Sequence, residues 1–279
     1  MKLYKIETGF FKLDGGAMFG VVPKVIWQKT NPADENNLCT WALRCLLIED
    51  EGRLILVDTG IGDKQDEKFL KHYYLHGEHT LDKSLADLGF SKDDITDVFL
   101  THLHFDHVGG AVIRDNGELK PAFKNATYWS NKQHWDWAVN PNAREKASFL
   151  KENILPLKES GQLKFIEAED GIQFTKNIKV RFVYGHTDAM MLPQISYKDK
   201  TLVYMADLLP SVGHIPLPYV MSYDMFPIKT LDEKFAFLSE AEAKKYILIL
   251  EHDPVNECCT LIRTEKGIKF DKAFAIADI

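Results

Sequence analysis

Thr101-His102-Leu103-His104-Phe105-Asp106-His107-Val108-Gly109-Gly110 is the stretch on which the reading of this chain turns. It follows Asp97 to Thr101, a short run with the apolar content of a buried strand. Side chains two apart on an extended segment share a face, so His102, His104 and Asp106 are expected to converge as the chain leaves that strand. His107 points elsewhere unless the chain turns, and Gly109-Gly110 permits such a turn. Two neighbouring ligand groups are expected: His102 with His104, and Asp106 with His107. A single histidine at a strand end is most often structural. Three histidines and an aspartate at this spacing, between a strand and a pair of glycines, form a metal-binding pattern.

Working outward, three more candidate ligands stand where apolar runs stop. His186 follows Val180 to Tyr184, Asp207 follows Thr201 to Met205, and His252 follows Tyr246 to Leu250. Loops after strand ends are where mixed α/β scaffolds carry their chemistry. Imidazole and carboxylate donors suit zinc, and also iron, cobalt or manganese.

The rest of the chain supplies the scaffold. Strands are expected at Lys2–Glu7, Trp41–Glu49 and Arg53–Asp58, the last two joined by a turn at Glu49-Asp50-Glu51-Gly52. Helices are expected near Lys64–Tyr74 and from the Thr80 cap to Leu88, with Gly89 as the stop. After a strand at Ala126–Trp129 come helices near Asn131–Val139 and Ala143–Lys158. A β-rich stretch covers Leu163–Met205, Thr230 is expected to cap a helix through Lys244, and Gly267–Phe270 reads as a last strand. Strands then helices, twice over, give an α/β chain of four layers, with two sheets facing each other and helices outside.

Composition limits the partners. The chain has 279 residues, 45% of them apolar, enough for a sizeable core. Its net charge of −7 repels nucleic acid and anionic membrane, and no Lys/Arg cluster reverses this locally. No window approaches the ~18 apolar residues of a membrane span. Met1 to Phe11 alternates charged and apolar residues and does not read as a secretory signal. Cys39, Cys45, Cys258 and Cys259 show no disulfide framework; Cys39 and Cys45 read as buried thiols in a reducing compartment, so a cytoplasmic location is expected. His72, His76, His79 and His134 read as surface or packing residues.

The run H-x-H-x-D-H-x-G-G resembles the signature loop of the metallo-β-lactamase superfamily. Val57-Asp58-Thr59-Gly60 is similar to that family's early strand-end motif, Tyr184-Gly185-His186-Thr187 to its third-histidine motif, and Met205-Ala206-Asp207 to its bridging-aspartate strand. The resemblance spans nearly the whole chain and implies one domain over residues 1–279 with the αββα sandwich. It implies two divalent metal ions, with zinc the first choice. His102, His104 and His186 would hold one, Asp106, His107 and His252 the other, and Asp207 would bridge them, with Asp58 supporting from behind. One departure is Asp188-Ala189, where many members have Pro-Gly.

Within the family, Asp207 argues against a true β-lactamase. Asp14 to Lys24 with Trp27, and Asp207-Leu208-Leu209-Pro210 with His214, Pro218 and Tyr223-Asp224, resemble the quorum-quenching lactonases and their methyl parathion hydrolase-like relatives. That resemblance implies ring opening of N-acyl homoserine lactones by a hydroxide shared between the metals, with Asp106 and Asp207 at the reacting centre. Pro210 stands where the well-studied lactonases carry a tyrosine, so His214 and Tyr223 become the candidates for polarising the carbonyl. Met18, Phe19, Val22, Trp27, Phe105, Trp135, Trp137, Met190 and Met191 are candidates for an apolar wall. The alternatives are a phosphotriesterase or arylesterase on the same site, or a redox or sensor protein like the persulfide dioxygenases. Relatives often form homodimers, and the Met18–Trp27 segment is a candidate interface.

Overall fold

Two long strands, β1 (Lys2–Asp14) and β2 (Leu38–Asp50), open the architecture. The computed structural model describes residues 1–279 and divides into two compact units: Met1–Phe10 with Leu43–Ala168, and Phe11–Ala42 with Glu169–Ile279.

In the first unit, β3 (Arg53–Val57), β4 (Asp97–Phe99), β7 (Thr127–Asn131) and β8 (Leu163–Ile166) extend a six-stranded sheet of order β1-β2-β3-β4-β7-β8. Strands β5 (Val112–Asp115) and β6 (Glu118–Pro121) form a separate hairpin. β2 and β3 are antiparallel, and their turn falls on Glu51 (φ 50°) and Gly52 (φ 79°). Both central residues take positive φ, as the type I′ two-residue turn requires. From β3 through β8 the pairing is parallel. Parallel strands are covered on both faces, which explains why Val98, Phe99, Leu54 and Leu56 are all buried. Their core continues through Leu100, Leu103, Val108, Tyr128 and Ile154.

In the second unit, β9 (Ile172–Thr175) through β15 (Gly267–Phe274) form a seven-stranded sheet of order β15-β14-β13-β12-β11-β10-β9. β10 is Ile178–Val183, β11 Met190–Tyr197, β12 Lys200–Tyr204, β13 Ile247–Ile249 and β14 Cys258–Thr264. All pairings are antiparallel except β12 with β13, which need a crossover, supplied by helix Pro227–Ala243. In that parallel pair Tyr204 lies opposite Ile249. Asp207 and His252 each follow three positions later, so register alone carries both to the same end of the sheet.

Several helices are shorter than their sequences suggest. The segment expected to be helical over Lys64–Tyr74 contains only Glu67–Leu70. Asp66 caps the helix, its Oδ1 accepting from Phe69 N at 2.8 Å, Tyr74 at φ 45° closes the segment, and Lys64 ahead of the cap is buried with its ammonium donating to the Gly109 carbonyl. Of Ala143–Lys158 only Lys151–Glu159 is helical. Helix Pro227–Ala243 begins before Thr230, because Pro227 sets the first turn and Thr230 is buried inside it. Two short helices, Gly15–Phe19 and Lys24–Trp27, were not foreseen. All four cysteines are buried thiols, and no helix is long and apolar enough to cross a membrane.

Candidate metal centre

Each candidate ligand group begins three positions after a strand ends: His102 after Phe99, His186 after Val183, Asp207 after Tyr204, His252 after Ile249. In the first unit, the chain does not stay extended past His104. A helical turn at Phe105–Val108 swings His107 back until its ring centroid is 3.9 Å from that of His102. Asp106 goes with it, its Oδ2 3.8 Å from His107 Nε2. The glycines serve close approach rather than an unusual turn. A Cβ on Gly109 would lie 2.0 Å from the Ile61 carbonyl oxygen, and one on Gly110 2.3 Å from that of Thr59. The ligand loop is pressed onto the loop after β3 and locked there by Thr59 N–H donating to the His107 carbonyl at 2.8 Å.

That second loop carries Asp58, fully buried at φ 57°. A left-handed non-glycine residue costs about 1–2 kcal/mol and persists where the surroundings demand it. Here they do. Asp58 Oδ1 accepts from Thr101 N at 2.8 Å, and its Oδ2 accepts from Thr101 Oγ1 at 2.6 Å and from His107 Nδ1 at 3.1 Å. The Thr101 hydroxyl hydrogen is thus spent on Asp58, so Thr101 Oγ1 accepts from His102 Nδ1, 3.1 Å away. His102 Nε2 is then an acceptor. On the other side His104 Nε2 donates to Glu145 Oε1 at 2.9 Å, which makes His104 Nδ1 an acceptor too. These two nitrogens face each other at 3.0 Å. Two lone pairs so placed repel unless a cation stands between them, which is what a pair of ligands to one metal would present. Between them, Leu103 N–H donates to His134 Nε2 at 2.9 Å, fixing the backbone of the loop.

The second unit repeats the pattern. His186 Nδ1 donates to Asp224 Oδ1 at 2.8 Å and His252 Nδ1 to the Ala42 carbonyl at 2.8 Å. Their Nε2 atoms are left as acceptors, and they face the two oxygens of one carboxylate. His186 Nε2 is 3.1 Å from Asp207 Oδ2, and His252 Nε2 is 3.0 Å from Asp207 Oδ1. Acceptor against carboxylate again calls for positive charge. Without metal a proton supplies it on His186: burial opposes the charge, but Asp207 and Asp224 outweigh it and raise the pKa to about 10. The donor set and its anchoring therefore fit divalent metal ions in both units. Ala206 precedes Asp207 at φ 41°, a second left-handed residue against the site.

His214 and Tyr223 stand apart from these ligands in character. His214 is 1% exposed, with Nε2 donating to the Met18 carbonyl at 2.9 Å and Nδ1 accepting from Ser211 Oγ at 2.9 Å. Burial lowers its pKa to about 3, so the ring is neutral, and it offers a substrate no donor without breaking a bond. Tyr223 is 37% exposed. Burial, with Asp106 adding to it, raises Tyr73 to about 12, keeping its phenol protonated. Of the candidate wall, Met18, Phe19, Trp27, Met190 and Met191 are buried core; Phe105 packs edge-on against Phe69 at 5.4 Å. Glu145 has no local sequence signature and no reading of the sequence singles it out; Asp224 enters the sequence reading only beside Tyr223 in the family likeness, with no role toward His186. His134, read as packing, is also a backbone clamp.

A family model described as the metallo-β-lactamase superfamily matches residues 44–252, three quarters of the chain. The chain belongs to the metallo-β-lactamase superfamily. Among superfamily members, an N-acyl homoserine lactonase of Bacillus cereus is 24% identical over 96% of both chains. One of Bacillus thuringiensis is 26% identical over 67% of this chain, which spans 66% of that protein's length. A crystal structure described as a probable metal-dependent hydrolase from Staphylococcus aureus superposes with a TM-score of 0.89 at 27% identity, covering 98% of this chain and 96% of its own. The fold is thus the metallo-β-lactamase fold, with a mixed sheet in each unit.

Proposed function

We propose that the chain is a dinuclear metal-dependent hydrolase that opens the ring of N-acyl homoserine lactones. His102, His104 and His186 would hold one divalent ion and Asp106, His107 and His252 the other, with Asp207 serving both, within a single domain of residues 1–279. The observation that carries this is Asp207, whose two oxygens each face a different histidine with its far nitrogen anchored. Zinc is the first choice for this nitrogen-and-oxygen donor set. The lactone follows from the Bacillus relatives, one of which aligns over almost the full length of both chains.

Bound there, divalent ions would supply Lewis acidity and would lower the pKa of water toward ~7, making hydroxide available at neutral pH. The protein's own part is orientation and proton transfer. Asp58, Glu145, Asp224 and the Ala42 carbonyl fix the imidazoles. Asp207 would take the proton of the attacking hydroxide as the new carboxylate forms and return it to the alkoxide released as the ring opens, so that the proton count closes. The leaving group stays attached, so the product is a hydroxy acid. The buried thiols fit a reducing cytoplasm.

A pH-stat assay tests the reading with a panel of homoserine lactones, aryl esters and phosphotriesters. Lactones are expected to exceed the other classes in kcat/KM by at least about tenfold. A triester that outperforms every lactone, or oxygen consumption with one iron per chain, overturns it. His104→Ala is expected to lower lactone turnover by about three orders of magnitude.

A further inference from the structure

Helix Pro227–Ala243 carries a side chain that its packing does not call for. Lys234 is 1% exposed, and lysine is almost never buried without a partner. Its Nζ donates to no carboxylate. It lies 2.7 Å from the His214 carbonyl oxygen, 2.8 Å from that of Tyr219, 3.3 Å from that of Pro216 and 3.4 Å from that of Leu217. A ring of carbonyl oxygens is how a protein replaces the hydration shell of a small monovalent cation. An ammonium is a compact charge with three donors and suits such a ring. Burial lowers the Lys234 pKa to about 7, with Asp224 acting against it, and four carbonyl oxygens around Nζ, more than the two N–H groups of a neutral amine can serve, favour the ammonium.

The bend so held leads onward. The His214 ring reaches the Met18 carbonyl at 2.9 Å and stacks on Phe19 at 4.4 Å and 8°. Phe19 stacks in turn on Trp27 at 5.3 Å and 8°, and meets Tyr219 edge-on at 6.2 Å. The Ala17 carbonyl accepts from Ser222 N at 2.8 Å. The chain from His214 to Ser222 and the segment from Ala17 to Trp27 are therefore joined by two hydrogen bonds and by ring contacts.

We propose that Lys234 is a positioning residue, a built-in monovalent cation that fixes the His214–Tyr219 bend and, through the His214 ring, the Met18–Trp27 segment, whose exposed Val21, Val25 and Ile26, not its buried Met18, Phe19 and Trp27, would meet an acyl chain. The acyl chain's place in this rests on the lactonase reading; the cation's place does not.

The test uses metal-replete Lys234→Ala and Lys234→Gln, each with ammonium chloride or tetramethylammonium chloride at equal ionic strength. Amide exchange over residues 212–220 is expected to rise about tenfold or more in Lys234→Ala, and to return toward the wild-type rate with ammonium only. KM for decanoyl homoserine lactone is expected to rise about tenfold with kcat within about threefold, again reversed by ammonium alone. Should Lys234→Ala not fold, Lys234→Gln is read in the same two ways. Unchanged exchange and KM, a defect indifferent to ammonium, or a fall in kcat with KM unchanged overturns the proposal. If the wild type opens no lactone, the lactonase reading falls, and the exchange measurement still decides the role of Lys234.

Discussion

His102 Nε2 and His104 Nδ1 lie 3.0 Å apart, and neither has a proton to give the other. Thr101 takes the N–H of one ring and Glu145 that of the other, so the network of anchors, not the ligands themselves, makes this a site that asks for a cation.

Glu145 is 1% exposed and holds His104 at 2.9 Å while also accepting from Trp137 Nε1 at 2.6 Å. Glu145→Gln keeps an oxygen and the shape but removes the charge that fixes the imidazole tautomer. Metal affinity is expected to fall about 10–100-fold with the fold intact. Competition against a chelator measures it; an unchanged dissociation constant would take Glu145 out of the centre.

Gly109→Ala would set a Cβ 2.0 Å from the Ile61 carbonyl oxygen, and backbone on both sides leaves nothing to swing aside. A loss of about 3 kcal/mol or more in unfolding free energy is expected, with the metal sites disturbed as well. Denaturant unfolding reads the first and metal analysis the second. A variant as stable as wild type would show that the two loops are not locked together.

Acid sensitivity has one assignable source in Glu240. Burial raises its pKa, but Arg181 at 2.6 Å, Lys244 at 2.9 Å and the Tyr246 hydroxyl at 2.9 Å outweigh it, giving about 2. The folded pKa lies below the unfolded value of about 4.3, so the stabilisation is complete above that value and is lost as pH falls through about 2. Glu240→Gln is expected to lower stability at neutral pH and to flatten the decline between about pH 4 and 2. Parallel declines in variant and wild type would remove Glu240 from the account.

The sequence revealed the site more readily than its supports, for a physical reason. Metal ligands are delivered by strand ends, and strand ends leave local patterns: His102 to His107 is one uninterrupted run. The groups behind them answer to tertiary contact alone. Glu145 reaches His104 from 41 positions away and Asp224 reaches His186 from 38, with no spacing rule to announce either. The same contacts undid one expected helix. Glu145 sits in a single turn, closed by Ser148 N–H to the Glu145 carbonyl at 2.9 Å, whose Ser148 carbonyl then accepts from Phe105 N at 2.9 Å. Serving the ligand loop takes that segment out of a helix. The helix expected from Lys64 starts late because Asp66 supplies its cap. Gly109-Gly110 was legible as important but for the wrong reason, because close backbone approach cannot be seen from sequence.

Metal content of the purified wild type beside Asp207→Asn tests the central claim most directly. Two divalent ions per chain are expected in the wild type, and the loss of most of both in the variant, since Asp207 turns one oxygen toward each of His186 and His252. A wild type that holds at most one ion, or a variant that keeps two, would contradict the account.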